Sequence, residues 1–137
     1  MRGVVPADQE ARRLVEGCLG ISISEPFAGL VFYDGARPIG AAIFNNYNGR
    51  NVNFTCVLAE GDVGIRICRQ VAHYIFKQLK CHRCTSVTSR SNVKAVVALL
   101  KLGFKWEGVL REYWPGGEDG LVYGLLWHEQ RLLRNMD

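Results

Sequence analysis

The stretch that decides the fold of this chain is residues 51–80, NVNFTCVLAEGDVGIRICRQVAHYIFKQLK. Over residues 51–58 apolar and polar side chains alternate, which is the pattern of a strand with one buried face. After a short loop the period changes to that of an amphipathic helix. The apolar stripe of this helix comprises Ile65, Cys68, Val71, Ala72, Ile75, Phe76 and Leu79. The stretch therefore predicts a helix packed against a sheet.

The residues after this helix predict a second strand and a second helix. Residues 84–88 are rich in β-branched side chains and predict a strand parallel to residues 51–58, because a right-handed crossover through a helix joins parallel neighbours. Asn92 is the predicted N-cap of the next helix, and Gly103 is the predicted residue at its C-terminal end. The side chains predicted to face inward from this helix are Val93, Val96, Val97 and Leu100.

The two ends of the chain complete the predicted sheet. Upstream, residues 6–19 have helical apolar spacing, and residues 27–33 and 38–44 predict a hairpin around Asp34-Gly35. Downstream, residues 104–114 and 121–127 predict a second hairpin, with Trp106, Trp114 and Trp127 in the core. The order of elements indicates an α/β (α+β) fold with a mixed central sheet and flanking helices. A length of 137 residues indicates one domain, residues 1–137.

Composition excludes several protein classes. With 48% apolar and 22% charged residues, the chain is neither disordered nor fibrous. No run approaches the roughly 20 apolar residues of a membrane span, and the first ten residues lack the apolar core of a signal peptide. Five cysteines are an odd number, which fits reduced thiols and a cytoplasmic location. The Cys81-x-x-Cys84 motif lacks the second pair of a structural zinc site, so no metal is predicted.

Charge is unevenly distributed along the chain. The formal net charge is only +4, but residues 63–106 contain no Asp or Glu. The nine cations of this stretch are Arg66, Arg69, Lys77, Lys80, Arg83, Arg90, Lys94, Lys101 and Lys105. Such a stretch suits an anionic partner, either a phosphate-bearing small molecule or a nucleic acid, although it is also the ordinary solvated face of a helix.

A resemblance emerges from the spacing of the motifs YIFKQLKCHR (74–83), Asn92 and KLGFKWEGVLR (101–111). This series resembles the second half of the GNAT-fold N-acetyltransferases, in particular the branch that acetylates ribosomal-protein N-termini. The similarity covers roughly residues 52–129. It implies a GNAT-like acyl-CoA N-acyltransferase fold and an enzyme that transfers acetyl from acetyl-CoA to an amine on a protein N-terminus, a lysine or a small molecule.

The resemblance also implies a set of cofactor-binding residues. The start of the long helix, which would receive the pyrophosphate of acetyl-CoA, is formed by Val63, Gly64, Ile65 and Arg66. A helix N-terminus suits a phosphate because it combines unpaired N–H groups with a partial positive charge. The resemblance also implies that the backbone of Leu58 pairs with the pantetheine arm and that Asn92 faces the cofactor. Without the resemblance, Gly64 is interpreted as a glycine at the start of a helix, and Asn92 is interpreted as an ordinary N-cap.

The chain departs from the family pattern at the positions that bind phosphate and supply catalytic groups. Ala59 stands where the family's phosphate loop has Gln or Arg, and Asp62 stands where it has Gly. A carboxylate at Asp62 would repel a pyrophosphate. The family's general-acid Tyr falls on Leu99, and a Ser that some members carry falls on Ala95. Glu60 is the candidate base, acting through water. The front of the chain has one helix where the fold usually has two.

Three functions remain open. The first is the acetyl-CoA-dependent N-acetyltransferase, with an unidentified amine acceptor. The second is a GNAT fold retained as a non-catalytic structural or interaction protein, of the abbreviated kind found in tailed phages. The third is nucleic-acid binding by a helix face, which we disfavour because no aromatic residues are interleaved with its charges; that face comprises Arg66, Arg69, His73, Lys77 and Lys80. No membrane partner is predicted, and the oligomeric state is open, a homo-oligomer included.

Overall fold

A computed structural model describes residues 1–59 and 62–133. Its helices and strands follow one another as β1 (Arg2–Pro6), α1 (Asp8–Leu19), β2 (Phe27–Asp34), β3 (Arg37–Asn45), β4 (Asn51–Leu58), α2 (Gly64–His73), β5 (Arg83–Thr88), α3 (Val93–Leu102), β6 (Lys105–Leu110) and β7 (Gly120–Leu126). A π-helical segment, Tyr74–Gln78, follows α2 directly. The predicted hairpins, the crossover helix and the single front helix are all present.

The strands form one mixed sheet of seven, in the order β1-β2-β3-β4-β5-β7-β6. All neighbours are antiparallel except β4 and β5, which are parallel as the crossover predicts. One face packs against α2 and α3 in the larger apolar core. The other face carries a smaller core beneath α1. The sheet is therefore covered on both faces, and its parallel pair lies in the interior.

Strand β1 is absent from the sequence prediction, which starts a helix at Pro6. In the structure β1 pairs with β2 up to Pro6, and α1 begins at Asp8. The strand is short and half exposed, so it carries no apolar alternation that the sequence would reveal. The junction is fixed by the Gly29 N–H, which donates to Asp8 Oδ1 at 2.9 Å.

The buried face of α3 differs from the prediction. Val93, Val97 and Leu100 are exposed, Val96 is half-buried, and the buried side chains are Ala95, Ala98, Leu99 and Leu102. Both sets repeat with helical spacing, because α3 is apolar almost all round. The small alanines allow close approach to the rest of the fold, which large β-branched side chains would prevent. The caps are confirmed: Asn92 Oδ1 accepts from the Ala95 N–H at 3.4 Å, and Gly103 is left-handed.

Two further core predictions are wrong. Ile65 is 55% exposed because it lies in the first turn of α2, where the neighbouring Val63 occupies the buried position instead. Trp106 is 53% exposed because β6 is an edge strand whose side chains are covered on at most one side. Its ring still meets that of Tyr123 edge-on, with 5.8 Å between centroids. Trp114 and Trp127 are half-buried.

Candidate active site

The two parallel strands are joined at one end only. Pairing of β4 with β5 is confined to Asn51–Asn53 against Arg83–Thr85. Immediately beyond, Ser86 Oγ donates to the Phe54 carbonyl at 2.6 Å, so a side chain takes the place of the next backbone donor. The parallel pair predicted from residues 51–58 and 84–88 is confirmed; it extends over three residue pairs, and the strands separate toward their carboxyl ends.

This separation opens a cleft of about 380 Å³. Its walls come from the separated strands, the start of α3, the end of α1 and the loop before β7. The lining includes Cys18, Thr55, Cys56, Ser86, Val87, Thr88, Asn92, Ala95, Trp114, Gly116 and Glu118. The carboxyl ends of parallel strands are the usual place for a ligand in such sheets. The cleft is therefore the candidate active site.

Polar side chains hold the closed end of the cleft. Thr85 Oγ1 donates to Asn51 Oδ1 at 2.7 Å, and Arg83 Nε donates to Thr85 Oγ1 at 3.0 Å. The Arg83 guanidinium also forms a bidentate ion pair with Glu107, whose hydrogen bond lowers the pKa of the Glu107 carboxyl and raises the pKa of Arg83. These contacts join the three strands where β4 and β5 begin.

The outer wall is a turn at residues 114–118. Trp114 Nε1 donates to the Thr88 carbonyl at 3.1 Å, and the Gly117 N–H donates to the Trp114 carbonyl at 2.8 Å. Ser91 Oγ donates to Glu118 Oε2 at 3.1 Å. The turn is thus attached to the end of β5 and to the segment before α3, which fixes its position over the cleft.

A second groove of about 450 Å³ adjoins the cleft. The two cavities share Thr55, Val87, Trp114 and Pro115, so a ligand in one can meet a ligand in the other. Its ionisable lining residues in the described part of the chain are Glu25 and Tyr113, beside the amides of Asn45, Asn46 and Asn53.

The loop that borders this groove, residues 20–26, is held by α1. Glu16 Oε2 accepts from the Ile23 N–H at 2.7 Å, and Arg12 donates to the Ile23 carbonyl at 2.8 Å. The bond from Ile23, more than the one from Arg12, lowers the pKa of the Glu16 carboxyl. A single helix therefore positions a loop that lines one side of the groove.

The start of α2 carries its own anion. The Gly64 N–H donates to Asp62 Oδ1 at 2.9 Å, and Lys101 Nζ lies 2.7 Å from Asp62 Oδ2. Arg2 donates to the Asp62 carbonyl at 2.8 Å. Lys101, with the Gly64 N–H, lowers the pKa of the Asp62 carboxyl. The carboxylate thus occupies the helix end at which a phosphate would bind.

The predicted cofactor residues separate into two groups. Asn92 lines the cleft. Leu58 ends β4, opposite Gly40 of β3. Val63 is buried, whereas Ile65 and Arg66 are exposed at the start of α2. None of these four residues, nor Gly64, lines the cleft. The candidate base Glu60 lies outside the described residues. The sequence prediction missed Ser86, Thr88 and Trp114, because strand-end side chains have no spacing signal.

Tyr113 belongs to residues 104–114, which the sequence predicts as one strand of the second hairpin. In the structure β6 ends at Leu110, and Tyr113 lies beyond it and is 49% exposed. Its ring meets Trp114 edge-on at 5.0 Å, and it lines the second groove. The strand ends earlier than the aromatic pattern suggests because Glu112, with φ of 52°, turns the chain.

Several solved structures with the same architecture are acetyltransferases. A mutant form of the spermidine/spermine N-acetyltransferase SpeG from Vibrio cholerae matches with a TM-score of 0.69 and 18% identity, over 93% of this chain and 96% of that one. The chain has the GNAT acetyltransferase fold. The ribosomal-protein-S5-alanine acetyltransferase from Vibrio fischeri matches this GNAT fold with a TM-score of 0.70 and 15% identity, over 95% of both chains.

A third GNAT structure was solved with a cofactor derivative. RimJ from Mycobacterium smegmatis, in complex with CoA-disulfide, matches with a TM-score of 0.63 and 18% identity, over 75% of this chain and 54% of that one. No protein-family model matches the sequence, and no curated protein matches it. The predicted fold class and the GNAT resemblance are confirmed by structure, at identities that establish the fold alone.

The positive charge of residues 63–106 is partly neutralised in the folded chain. Acids from outside this stretch pair with three of its cations, as Asp62–Lys101, Glu107–Arg83 and Glu129–Lys105. Lys94 Nζ donates to the Ala59 carbonyl at 2.8 Å. Within residues 1–59 and 62–133, no three His, Cys, Asp or Glu side chains are placed to hold a metal ion, and no helix has the length and apolarity to cross a bilayer.

Thiol chemistry offers a direct test of the cleft. Burial raises the pKa of Cys56 to about 12 and raises the pKa of Cys68, Cys81 and Cys84, whereas Cys18 is exposed and lines the cleft. We expect Ellman's reagent at pH 8 to modify one thiol rapidly in the native protein and five in denaturant. The Cys18→Ser variant should lose the rapid phase; a second rapidly reacting thiol would contradict the described burial.

Proposed function

We propose that this protein is an acetyl-CoA-dependent N-acetyltransferase that acetylates an amine. The observation that carries the proposal is the separation of β4 from β5 beyond Asn53 and Thr85, which leaves a cleft at the carboxyl ends of two parallel strands. The GNAT fold of the chain supports the same chemistry. The acceptor class, a protein N-terminus, a lysine or a small amine, is left to experiment.

The lining of the cleft fits the acyl arm of acetyl-CoA. Beyond their three paired residues, β4 and β5 make no ladder bonds with each other. Apart from the Phe54 and Thr88 carbonyls, which already accept hydrogen bonds, their facing backbone edges could therefore bind the amides of a pantetheine arm, as in strand addition. Thr88 Oγ1 is a buried atom with no hydrogen-bond partner in this lining. Both features leave polar groups that an extended, amide-bearing ligand can satisfy.

The two joined cavities suit a transfer between two substrates. Acetyl-CoA supplies a thioester, from which the acetyl group passes to the amine as a C–N bond forms, the C–S bond breaks and the amine loses a proton. The shared residues, Thr55, Val87, Trp114 and Pro115, mark where the two substrates would meet. Holding two reactants in such contact is itself a large part of catalysis.

The second groove would receive the amine. Glu25, its one acid among the described lining residues, favours an ammonium group in its approach, and the amides of Asn45 and Asn53 can hydrogen-bond to it. Glu60 remains the predicted base, which would take the amine proton through water. Leu99 is fully buried and Ala95 lines the cleft, so neither position supplies a proton to the leaving sulfur, and we assign that proton to water.

The proposal is tested by calorimetric titration with acetyl-CoA and with CoA. We expect saturable binding of both ligands, together with slower modification of Cys18 in their presence. Acetylation of amines is then followed by release of free CoA thiol, using an N-terminal peptide, a lysine peptide and a polyamine as acceptors. Absence of heat and of Cys18 protection at millimolar acetyl-CoA would overturn the proposal.

One observation favours a non-catalytic role. The Asp62 carboxylate already accepts the Gly64 N–H and pairs with Lys101, so the start of α2 is satisfied without a cofactor phosphate. In this second candidate function the GNAT fold serves as a scaffold and binds no cofactor. A variant at Asp62 distinguishes the two functions.

We expect Asp62→Asn to bind CoA about fivefold more tightly than the wild type, because a fixed negative charge beside the phosphates is removed while Lys101 is released to pair with them. The measurement is calorimetry at low ionic strength, where charge effects are largest. Asp34→Asn is the matched control, since Asp34 also pairs with Arg2 but lies on β2. Binding by Asp62→Asn with none by the wild type would favour the scaffold; equal affinity would show that Asp62 does not compete with phosphate.

A further inference from the structure

One hydroxyl in the cleft is buried and has no partner. Thr88 is 5% exposed, and its Oγ1 is one of two buried side-chain atoms without a hydrogen bond in the described part of the chain. The other, Gln70 Oε1, belongs to α2 and lies away from the cleft lining. A buried hydroxyl that makes no hydrogen bond destabilises the folded state, so its retention in a ligand cleft points to a ligand that satisfies it.

Among the hydroxyls that line the cleft, Thr88 carries the buried one without a partner in the described residues. Ser86 also lines the cleft from β5, yet its Oγ is bonded to the Phe54 carbonyl at 2.6 Å. The α3 side of the cleft presents Ala95, and Leu99 behind it is fully buried, so this side offers no hydroxyl at these positions. Thr88 therefore supplies a free donor where α3 has none.

The backbone of Thr88 is fixed from two sides. It pairs with Leu121 of β7, and its carbonyl accepts from Trp114 Nε1 at 3.1 Å. Trp114 in turn belongs to the lining that the cleft shares with the second groove. The side chain is thus carried on a rigid strand end next to the point where the two substrates would meet, which is what an effective preorganised donor requires.

We propose that the Thr88 hydroxyl donates a hydrogen bond to the carbonyl oxygen of the bound acyl thioester; this rests on the proposed function. The hydroxyl keeps its own proton throughout. As the C–N bond forms and the C–S bond breaks, the amine proton passes to water and the departing sulfur takes a proton from water. Thr88 would stabilise the negative charge that develops on the carbonyl oxygen, and is in this sense a catalytic residue.

The test combines stability with ligand discrimination. Thr88→Val keeps the shape of the side chain and removes the hydroxyl, so we expect Tm to be unchanged or up to about 4 °C higher. We expect the kcat/KM of the same variant for acetyl-CoA to be about tenfold lower than that of the wild type. Its affinity for acetyl-CoA relative to CoA should also fall about tenfold, because CoA has no acyl carbonyl. Thr88→Ser should keep the wild-type values.

Ser86→Ala is the matched control, because its hydroxyl already has a partner. We expect it to lower Tm by about 4 °C and to weaken acetyl-CoA and CoA equally. If Thr88→Val lowers Tm, or weakens both ligands equally, or leaves the acetyl-CoA preference unchanged, the role of Thr88 is overturned while the proposed function stands. If the wild type binds neither ligand, the proposed function fails and the role of Thr88 fails with it.

Discussion

Replacing Gly116 by Trp is expected to weaken acetyl-CoA binding about 100-fold while the protein stays folded. Gly116 lines the cleft, and a Cβ added there meets no atom within 4 Å. The residue has no left-handed backbone conformation that would strain a side chain. The indole would thus fill space that the proposal gives to the acyl arm, at little cost to the fold. Calorimetric titration measures the loss.

The control for this variant is Gly3→Trp. A Cβ added at Gly3 also meets no atom within 4 Å, but this residue lies on β1, separated from the cleft by β2 and β3. We expect the affinity of this variant for acetyl-CoA to equal that of the wild type. Undiminished binding by Gly116→Trp, with Tm unchanged, would show that acetyl-CoA does not use this cleft.

Phe54→Ala is expected to lower the free energy of unfolding by about 3–5 kcal/mol. Phe54 is 2% exposed, with ring centroids 5.2 Å from Phe44 and 6.1 Å from Phe104, so truncation leaves a cavity that rigid neighbours cannot fill. A typical domain has only about 5–15 kcal/mol in total. Urea unfolding followed by tryptophan fluorescence measures the change.

Val93→Ala serves as the comparison for Phe54→Ala. Val93 is 62% exposed on α3, so its truncation should change the free energy of unfolding by less than about 0.5 kcal/mol. This variant also tests the orientation of the helix, because the sequence predicts that Val93 faces inward. A loss of several kcal/mol at Val93, or a negligible loss at Phe54, would contradict the described core.

Much of the fold follows from local patterns in the sequence. The alternation in residues 51–58 and the helical period that follows fix a strand and its crossover helix, and right-handed connection then makes β4 and β5 parallel neighbours. Turn residues locate both hairpins. Edge strands are harder to predict from the sequence. β1 pairs along one side only, and its composition does not indicate the partner strand that keeps it extended.

The orientation of α3 shows a limit of periodicity. Its sequence contains two apolar stripes, one through Val93 and Leu100 and one through Ala95 and Leu102. Hydrophobicity alone favours the larger side chains, whereas packing selects the stripe whose alanines permit close approach. That choice depends on the shape of the surface beneath the helix, which the helix's own residues do not specify.

The candidate site was predictable in place but not in detail. The carboxyl ends of β4 and β5 follow from topology, and Asn92 from its position as a cap. The free hydroxyl of Thr88 depends on where the strands separate. The Asp62 carboxylate at the start of α2 depends on an ion pair with Lys101, which lies on α3. Such properties arise from contacts between distant segments, so no window of sequence contains them.

The short pairing of β4 with β5 has a mechanical consequence. With three residue pairs across that boundary, the sheet consists of two half-sheets, β1–β4 and β5–β7–β6. Other contacts add to the connection: Ser86 Oγ donates to the Phe54 carbonyl, Phe54 stacks on Phe104, and Lys101 forms an ion pair with Asp62. Substitutions that remove these contacts are therefore expected to change the width of the opening while leaving the pairing within each half-sheet intact.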